Sequence, residues 1–183
     1  ALPILALPSL KVRAMKIRIE RLTKAAFAPF GEVVEAEGAK EIPINQGFAV
    51  RHNALGTVDV ATHDGDVNIS LFVAQPRPMP IAIEVMERHP DGTQLFYPLQ
   101  DRPWLIVVCD DPHQADSYRA FLATGRQGVN YFRNIWHHPL LVLDSDSRFF
   151  IVDRKGPGAN LEEIFLEPTQ ALYLDDLPQG RSE

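Results

Sequence analysis

The sequence predicts an all-β sandwich or barrel, and three observations carry that prediction. Apolar runs of strand length recur along the chain, nearly all bounded by Pro, Gly, Asp or Asn. Fifteen prolines and eleven glycines in 183 residues punctuate the chain too often for a helical bundle. Only two segments carry a helical pattern.

Taken in order, residues 1–14 are apolar but broken by Pro3 and Pro8 and lack a basic leader, so they read as an extension to the fold. Met15-Lys-Ile-Arg-Ile-Glu20 alternates apolar with charged side chains and predicts a strand that opens a single domain over 15–183. Thr23 is a capping residue for a short helix over Lys24–Ala28, which Pro29 and Gly31 end, and Glu32–Glu35 returns to extended chain. Further strands are expected at Val58–Val60, Asn68–Ala74, Ile81–Met86, Leu95–Tyr97, Trp104–Cys109, Val129–Phe132, Leu140–Leu143, Phe149–Val152 and Leu161–Leu166. The second helix is expected over about 114–123, where Ala115, Tyr118, Ala120, Phe121 and Leu122 form an apolar stripe and Gly125 a stop. There is no internal repeat or low-complexity linker.

Composition narrows the function. With 45% hydrophobic and 23% charged residues the chain has enough apolar material for a core, which excludes a disordered polypeptide. A net charge of −6 argues against nucleic acid or an anionic membrane as the main partner and leaves small molecules or proteins. No apolar stretch approaches the roughly 20 residues of a spanning helix, so a soluble protein is expected. The single cysteine, Cys109, cannot form an internal disulfide and lies in an apolar run, which favours a core role and a reducing, cytoplasmic setting.

Two polar clusters could carry chemistry. In Glu84-Val-Met-Glu87-Arg-His89-Pro-Asp-Gly-Thr-Gln94, Glu87 and His89 stand two apart on a strand and so leave the same face. Pro90-Asp91-Gly92 is a turn signal that returns Gln94 beside them on a paired strand. A carboxylate, an imidazole and an amide would then share a metal site or an acid–base pocket. In Trp136-His137-His138-Pro139 the two imidazoles must face opposite ways, so either one is a ligand or catalyst and the other a packing or hydrogen-bonding residue, or both are bonded to main chain at a strand end that Pro139 caps. Arg51, Arg133 and Arg154 could each hold a small anion through a guanidinium fork or could be surface ion-pair partners. His52, His63 and His113 read as exposed loop residues.

From Met15 to about Leu166 the chain resembles the bacterial ureidoglycolate lyases. The matching stretches are Leu22-Thr-Lys-Ala-Ala-Phe-Ala-Pro-Phe-Gly31, Ile44-Asn-Gln-Gly47, Met86-Glu-Arg-His-Pro90 with Gln94, Gly128-Val-Asn-Tyr131, Trp136-His-His-Pro-Leu140, and Val152-Asp-Arg154 leading to Asn160-Leu-Glu-Glu163. The resemblance implies a cupin-type double-stranded β-helix, or jelly-roll barrel, that forms homodimers and cleaves ureidoglycolate to glyoxylate and urea in allantoin degradation. It implies that Glu87, His89, Gln94 and His137 take the cupin ligand and catalytic positions, choosing His137 over His138. It also implies that Gln46 and Asn130 contact substrate, with Arg51, as a guanidinium fork, Asn130 or main-chain amides expected to hold the carboxylate, and that a divalent metal, nickel in the family, is held by the four ligand positions. Phe132 and Asn134 depart from the pattern, standing where relatives tend to carry His and the Gly of the cupin turn. Another small-acid cupin enzyme, an isomerase or decarboxylase, and a non-catalytic small-acid-binding cupin are the alternative readings of the same residues.

Overall fold

The structure, a computed structural model, describes residues 15–167, 172–174 and 177. The expected extension over 1–14 lies outside the described residues. In chain order the strands are β1 (Met15–Ile17), β2 (Ile19–Arg21), β3 (Gly31–Val34), β4 (Lys40–Ile44), β5 (Ala49–Asn53), β6 (Asp66–Ala74), β7 (Ala82–Ile83), β8 (Val85–Arg88) and β9 (Gln94–Pro98). They continue as β10 (Trp104–Cys109), β11 (Tyr118–Ala123), β12 (Gly128–Tyr131), β13 (Trp136–His137), β14 (Leu141–Val142), β15 (Ser147–Lys155), β16 (Glu162–Phe165) and β17 (Leu172–Leu174). Helix α1 (Lys24–Phe27) forms where its cap predicts, with the Thr23 hydroxyl accepting from the Ala26 amide.

Two sheets face each other and make the barrel. One has the order β16-β8-β13-β10-β11-β2, with β14 also on β10, and the other the order β3-β12-β9-β15-β6. From β8 onward the chain passes repeatedly from one sheet to the other, which is a jelly-roll path. Between the sheets lies a core of Phe27, Phe96, Trp104, Phe121, Phe149 and Ile151, each almost wholly buried. Trp104, Ile106 and Val108 point into that core from β10, while Leu105, Val107 and Cys109 pack on its other side against Ile17, Ile83, Leu172 and Leu174 of the small sheet β1-β17-β7. This double burial explains an unbroken apolar run where a one-sided strand would alternate. Burial also pushes the Cys109 thiol up to about 12, so it is an inert core group.

Three expectations from the sequence need correction. The helix over about 114–123 is a short turn, Ala115–Ser117, followed by strand β11. β11 is paired on both sides, with β10 and β2, and buries Phe121 on one face and Tyr118 and Ala120 on the other. An apolar residue on each face of a strand imitates the stripe of a helix. Val58–Val60 carries no strand; Asp59 instead exchanges hydrogen bonds with Thr93 across the loop. The hairpin β4–β5 is a further pairing for which the sequence carries no strand signal of its own. Finally, β8 and β9 are not paired: Pro90-Asp91-Gly92 carries the chain from one sheet to the other.

Candidate active site

Glu87, His89, Gln94 and His137 nevertheless meet, because the two sheets present them across the barrel interior. On β8, Met86 and Arg88 face outward, Arg88 lying over the Trp136 ring at 4.5 Å, so Glu87 and, just beyond the strand, His89 face inward. β13 pairs with β8 in a register that sets His137 opposite Glu87. Gln94 arrives from the facing sheet, its Oε1 3.1 Å from His137 Nε2, and Glu87 Oε1 lies 3.5 Å from the same nitrogen. The rings of His89 and His137 have centroids 5.4 Å apart. One ligating atom from each of Glu87, His89 and His137 lies within 4.8 Å of the others.

Main-chain carbonyls orient both imidazoles. His137 Nδ1 sits 2.9 Å from the Ile135 oxygen and His89 Nδ1 2.6 Å from the Asn160 oxygen. A carbonyl only accepts, so each Nδ1 is placed to donate its proton; His89 Nε2, which has no hydrogen-bond partner, presents a lone pair to the site, while His137 Nε2 faces the Gln94 and Glu87 oxygens. Tyr131 stacks on His137 with ring centroids 4.1 Å apart and planes inclined by 12°. Burial works against the Glu87 charge, but hydrogen bonding to His137 and the nearby imidazoles outweigh it and hold the carboxyl below its ordinary value. His89 is also pushed down, by burial first and then by His137, against the Asn160 carbonyl and the charges of Glu87 and Asp153. At neutral pH the site therefore joins an ionised carboxylate to a neutral His89.

His138 takes the opposite face. Its amide donates to the Val107 oxygen, its Nδ1 to the Pro139 oxygen, and burial lowers its pKa to about 4. The structure does not bring Gln46, Arg51 or Asn130 to the cluster within one chain. Gln46 is exposed at the left-handed tip of the hairpin, and Arg51 is exposed on β5. Asn130 is fully buried but faces away from its neighbour Tyr131, donating to Glu32 Oε2 at 2.8 Å and the Thr57 oxygen at 2.9 Å. Arg133 pairs with Asp59 at 3.0 Å. Arg154 donates to the carbonyls of Thr62, His63 and Pro157 and serves as a strut under that loop. A separate cleft of about 460 Å³, lined by Lys24, Glu32, Glu35, Lys40 and Phe132 among others, contains none of the four clustered residues.

The sequence profile described as Ureidoglycolate lyase matches residues 14–172. A ureidoglycolate lyase of Burkholderia cepacia is 51% identical over 166 residues, which is 90% of this chain and 94% of that protein. One from Pseudomonas syringae pv. tomato is 48% identical, covering 89% of this chain and 97% of its own, and one from Rhizobium meliloti is 52% identical over 81% and 88%. The chain belongs to the ureidoglycolate lyase family. Among solved structures, Bacillus subtilis oxalate decarboxylase overlaps 55% of the chain and 24% of its own length, with 13% identity and a TM-score of 0.36, too slight a likeness to bear on the site.

Two departures from the family pattern acquire a structural account. Asn134, where the family's cupin turn tends to have glycine, adopts φ 66°, the left-handed region that asparagine tolerates better than most side chains. Its amide donates to the His89 oxygen, so this turn ties the two histidine segments together. Phe132 is 41% exposed and lines the separate cleft, outside the cluster.

The donor chemistry fits a bound cation. His137 Nε2 lies between two acceptors, Glu87 Oε1 and Gln94 Oε1, and His89 Nε2 is buried with no hydrogen-bond partner. Lone pairs crowded in this way repel unless a cation or a proton lies among them. Nδ1–H bonds from both histidines to carbonyls are the usual outer support of imidazole ligands. Reading the sequence alone missed Tyr131, Ile135 and Asn160, since a stack and two main-chain carbonyls leave no signal in residue type.

Proposed function

We propose that the protein is a carbon–nitrogen lyase that cleaves ureidoglycolate to glyoxylate and urea. The observation that carries this reading is the convergence of Glu87, His89, Gln94 and His137 in the barrel interior of a member of this family. Ureidoglycolate has a hydroxyl, a carboxylate and a urea nitrogen on one carbon. Loss of the hydroxyl proton lets that oxygen form the aldehyde carbonyl as the carbon–nitrogen bond breaks, its electron pair leaving with nitrogen. The nitrogen must gain a proton, and no water is consumed.

His89 is suited to moving that proton. Its Nε2 is free and unprotonated, Asn160 fixes its Nδ1–H, and Glu87 stabilises the cation formed when Nε2 takes the hydroxyl proton. The same proton passes from Nε2 to the departing nitrogen, which balances the reaction without a second acid. His137, with its Nε2 set against the Glu87 and Gln94 oxygens, takes the ligand role. Glu87, Gln94 and His137, with His89 beside them, would hold a divalent metal, which would supply positive charge that lowers the hydroxyl's pKa. Nickel follows from the family resemblance. Gln46 and Asn130 enter this reading as substrate contacts only on the strength of that resemblance, and Arg51 only as a guanidinium suited to a carboxylate.

Purified protein should release glyoxylate and urea in equal amounts, where an isomerase would yield neither and a decarboxylase would yield carbon dioxide. His89→Ala should lower kcat by about 10²- to 10⁴-fold, the range for losing a general acid–base group. Full activity in that variant would end the assignment of His89. A homodimer belongs to the same reading: β6, an edge strand, exposes Val67, Ile69, Leu71 and Val73 along one face, an apolar row suited to a second copy. Sedimentation should give twice the chain mass, and Leu71→Lys should return it to the monomer.

A further inference from the structure

The candidate site is built from two facing rows of side chains, and one of them continues past the residues already assigned. Across the first sheet the register aligns Glu163, Glu87 and His137. Across the facing sheet it aligns Tyr131 with Gln94, and Asp153 with Asn68. β15 and β9 pair through Val152 and Leu95, so one further step brings Asp153 level with Gln94. Phe149 and Ile151 on β15 and Phe96 on β9 all point into the core, which puts Asp153 and Gln94 on the same inner face. The row therefore runs Tyr131, Gln94, Asp153, Asn68.

Asn68 Nδ2 donates to Asp153 Oδ1 at 2.8 Å, and both side chains are half-buried. Among the described residues nothing else bonds to Asp153 Oδ2, to Asn68 Oδ1 or to the second Nδ2–H. The pair thus offers two acceptors and one donor to the barrel interior. A ureido group is their complement, with several N–H donors and one carbonyl acceptor. A carboxylate is not, because the Asp153 charge repels it.

We propose that Asp153 and Asn68 form the subsite for the ureido end of the substrate, and that they set its orientation by excluding the carboxylate from that end. This rests on the proposed ureidoglycolate activity. The Asp153 Oδ2 and Asn68 Oδ1 atoms accept from the ureido N–H groups, the second Nδ2–H of Asn68 donates to the ureido carbonyl, and the hydroxyl-bearing carbon falls back toward His89. The pair positions the leaving group and transfers no proton.

Asp153→Asn and Asn68→Ser test the assignment in the metal-loaded protein, using ureidoglycolate as substrate and glyoxylate as an inhibitor that lacks a ureido group. The expected result is a KM for ureidoglycolate raised about 10- to 100-fold, the loss that follows removal of hydrogen bonds to a charged group, with the glyoxylate inhibition constant held within about twofold. An unchanged KM, or glyoxylate inhibition weakened by the same factor, overturns the proposal. If circular dichroism finds that one variant has not folded, the other decides alone, and Asp153→Glu, which keeps the charge, should recover part of the loss. A wild-type protein that releases no urea would instead remove the proposed activity, so the two failures are distinct.

Discussion

His137 and His138 are neighbours in sequence that serve different interiors. Strand geometry alone requires their separation, and the structure carries it out: His137 turns to Glu87 and Gln94, and His138 turns to a second core where burial keeps it neutral. Sequence reasoning also placed Glu87 and His89 on one face, and that followed from their spacing. It could not find the Tyr131 ring that covers His137, because nothing in Gly128-Val-Asn-Tyr131 says which strand will lie opposite. The stack fixes the ring plane while the Ile135 carbonyl fixes the proton. Tyr131→Phe keeps the stack and should retain activity within about threefold, whereas Tyr131→Leu should lower kcat by about 10-fold or more through loss of ring orientation, with KM little changed. Steady-state kinetics on the two variants checks this, and equal losses in both would assign the effect to the hydroxyl instead.

At the scale of elements, pairing decides what local pattern leaves open. β2 and β11 run parallel, and Arg119 of β11 binds both Glu20 oxygens, through Nε at 3.0 Å and a terminal nitrogen at 2.9 Å. The same guanidinium donates to the Ala26 oxygen at the end of α1 and lies over the Phe121 ring. The bond from Arg119 holds the Glu20 carboxyl below its ordinary 4.5, against a smaller opposing effect of burial. A depressed folded value means that the contribution to stability is complete above the unfolded value and lost as pH falls through the folded one. The pair is half-exposed, so solvent screening limits it. Glu20→Gln should cost about 0.2–1 kcal/mol at pH 7, a cost that shrinks as pH falls and the wild-type carboxyl is protonated, as denaturant titrations across a descending pH series would measure. β11 is also the element that sequence reasoning took for a helix. A strand buried on both faces carries apolar residues at spacings that either structure allows, and only its partners β10 and β2 resolve it.

For the whole molecule, the site is a property of closure. Glu87, His89 and His137 belong to one sheet and Gln94 to the other, so the cluster exists only when the two are packed across their shared core. A cation bound among these groups would hold the sheets together in the folded state and find no such arrangement in the unfolded chain. Added nickel should therefore raise the Tm, a chelator should reverse the gain, and His137→Ala should abolish the response while remaining folded. Thermal melts with and without chelator measure it, and an equal gain in His137→Ala would place the binding elsewhere. Residue types and spacings were enough to determine the β class, the capped first helix, the same-face pair Glu87 and His89 and the opposed pair His137 and His138, because each depends on backbone geometry over a few residues. Tertiary structure alone decided that Gln94 comes from the facing sheet, that Asn130 turns away, and that Tyr131, Asn160 and Asp153 surround the cluster. Those outcomes depend on which distant strands pair and in what register, which is set by the packing of the entire barrel and leaves no mark on any short stretch of chain.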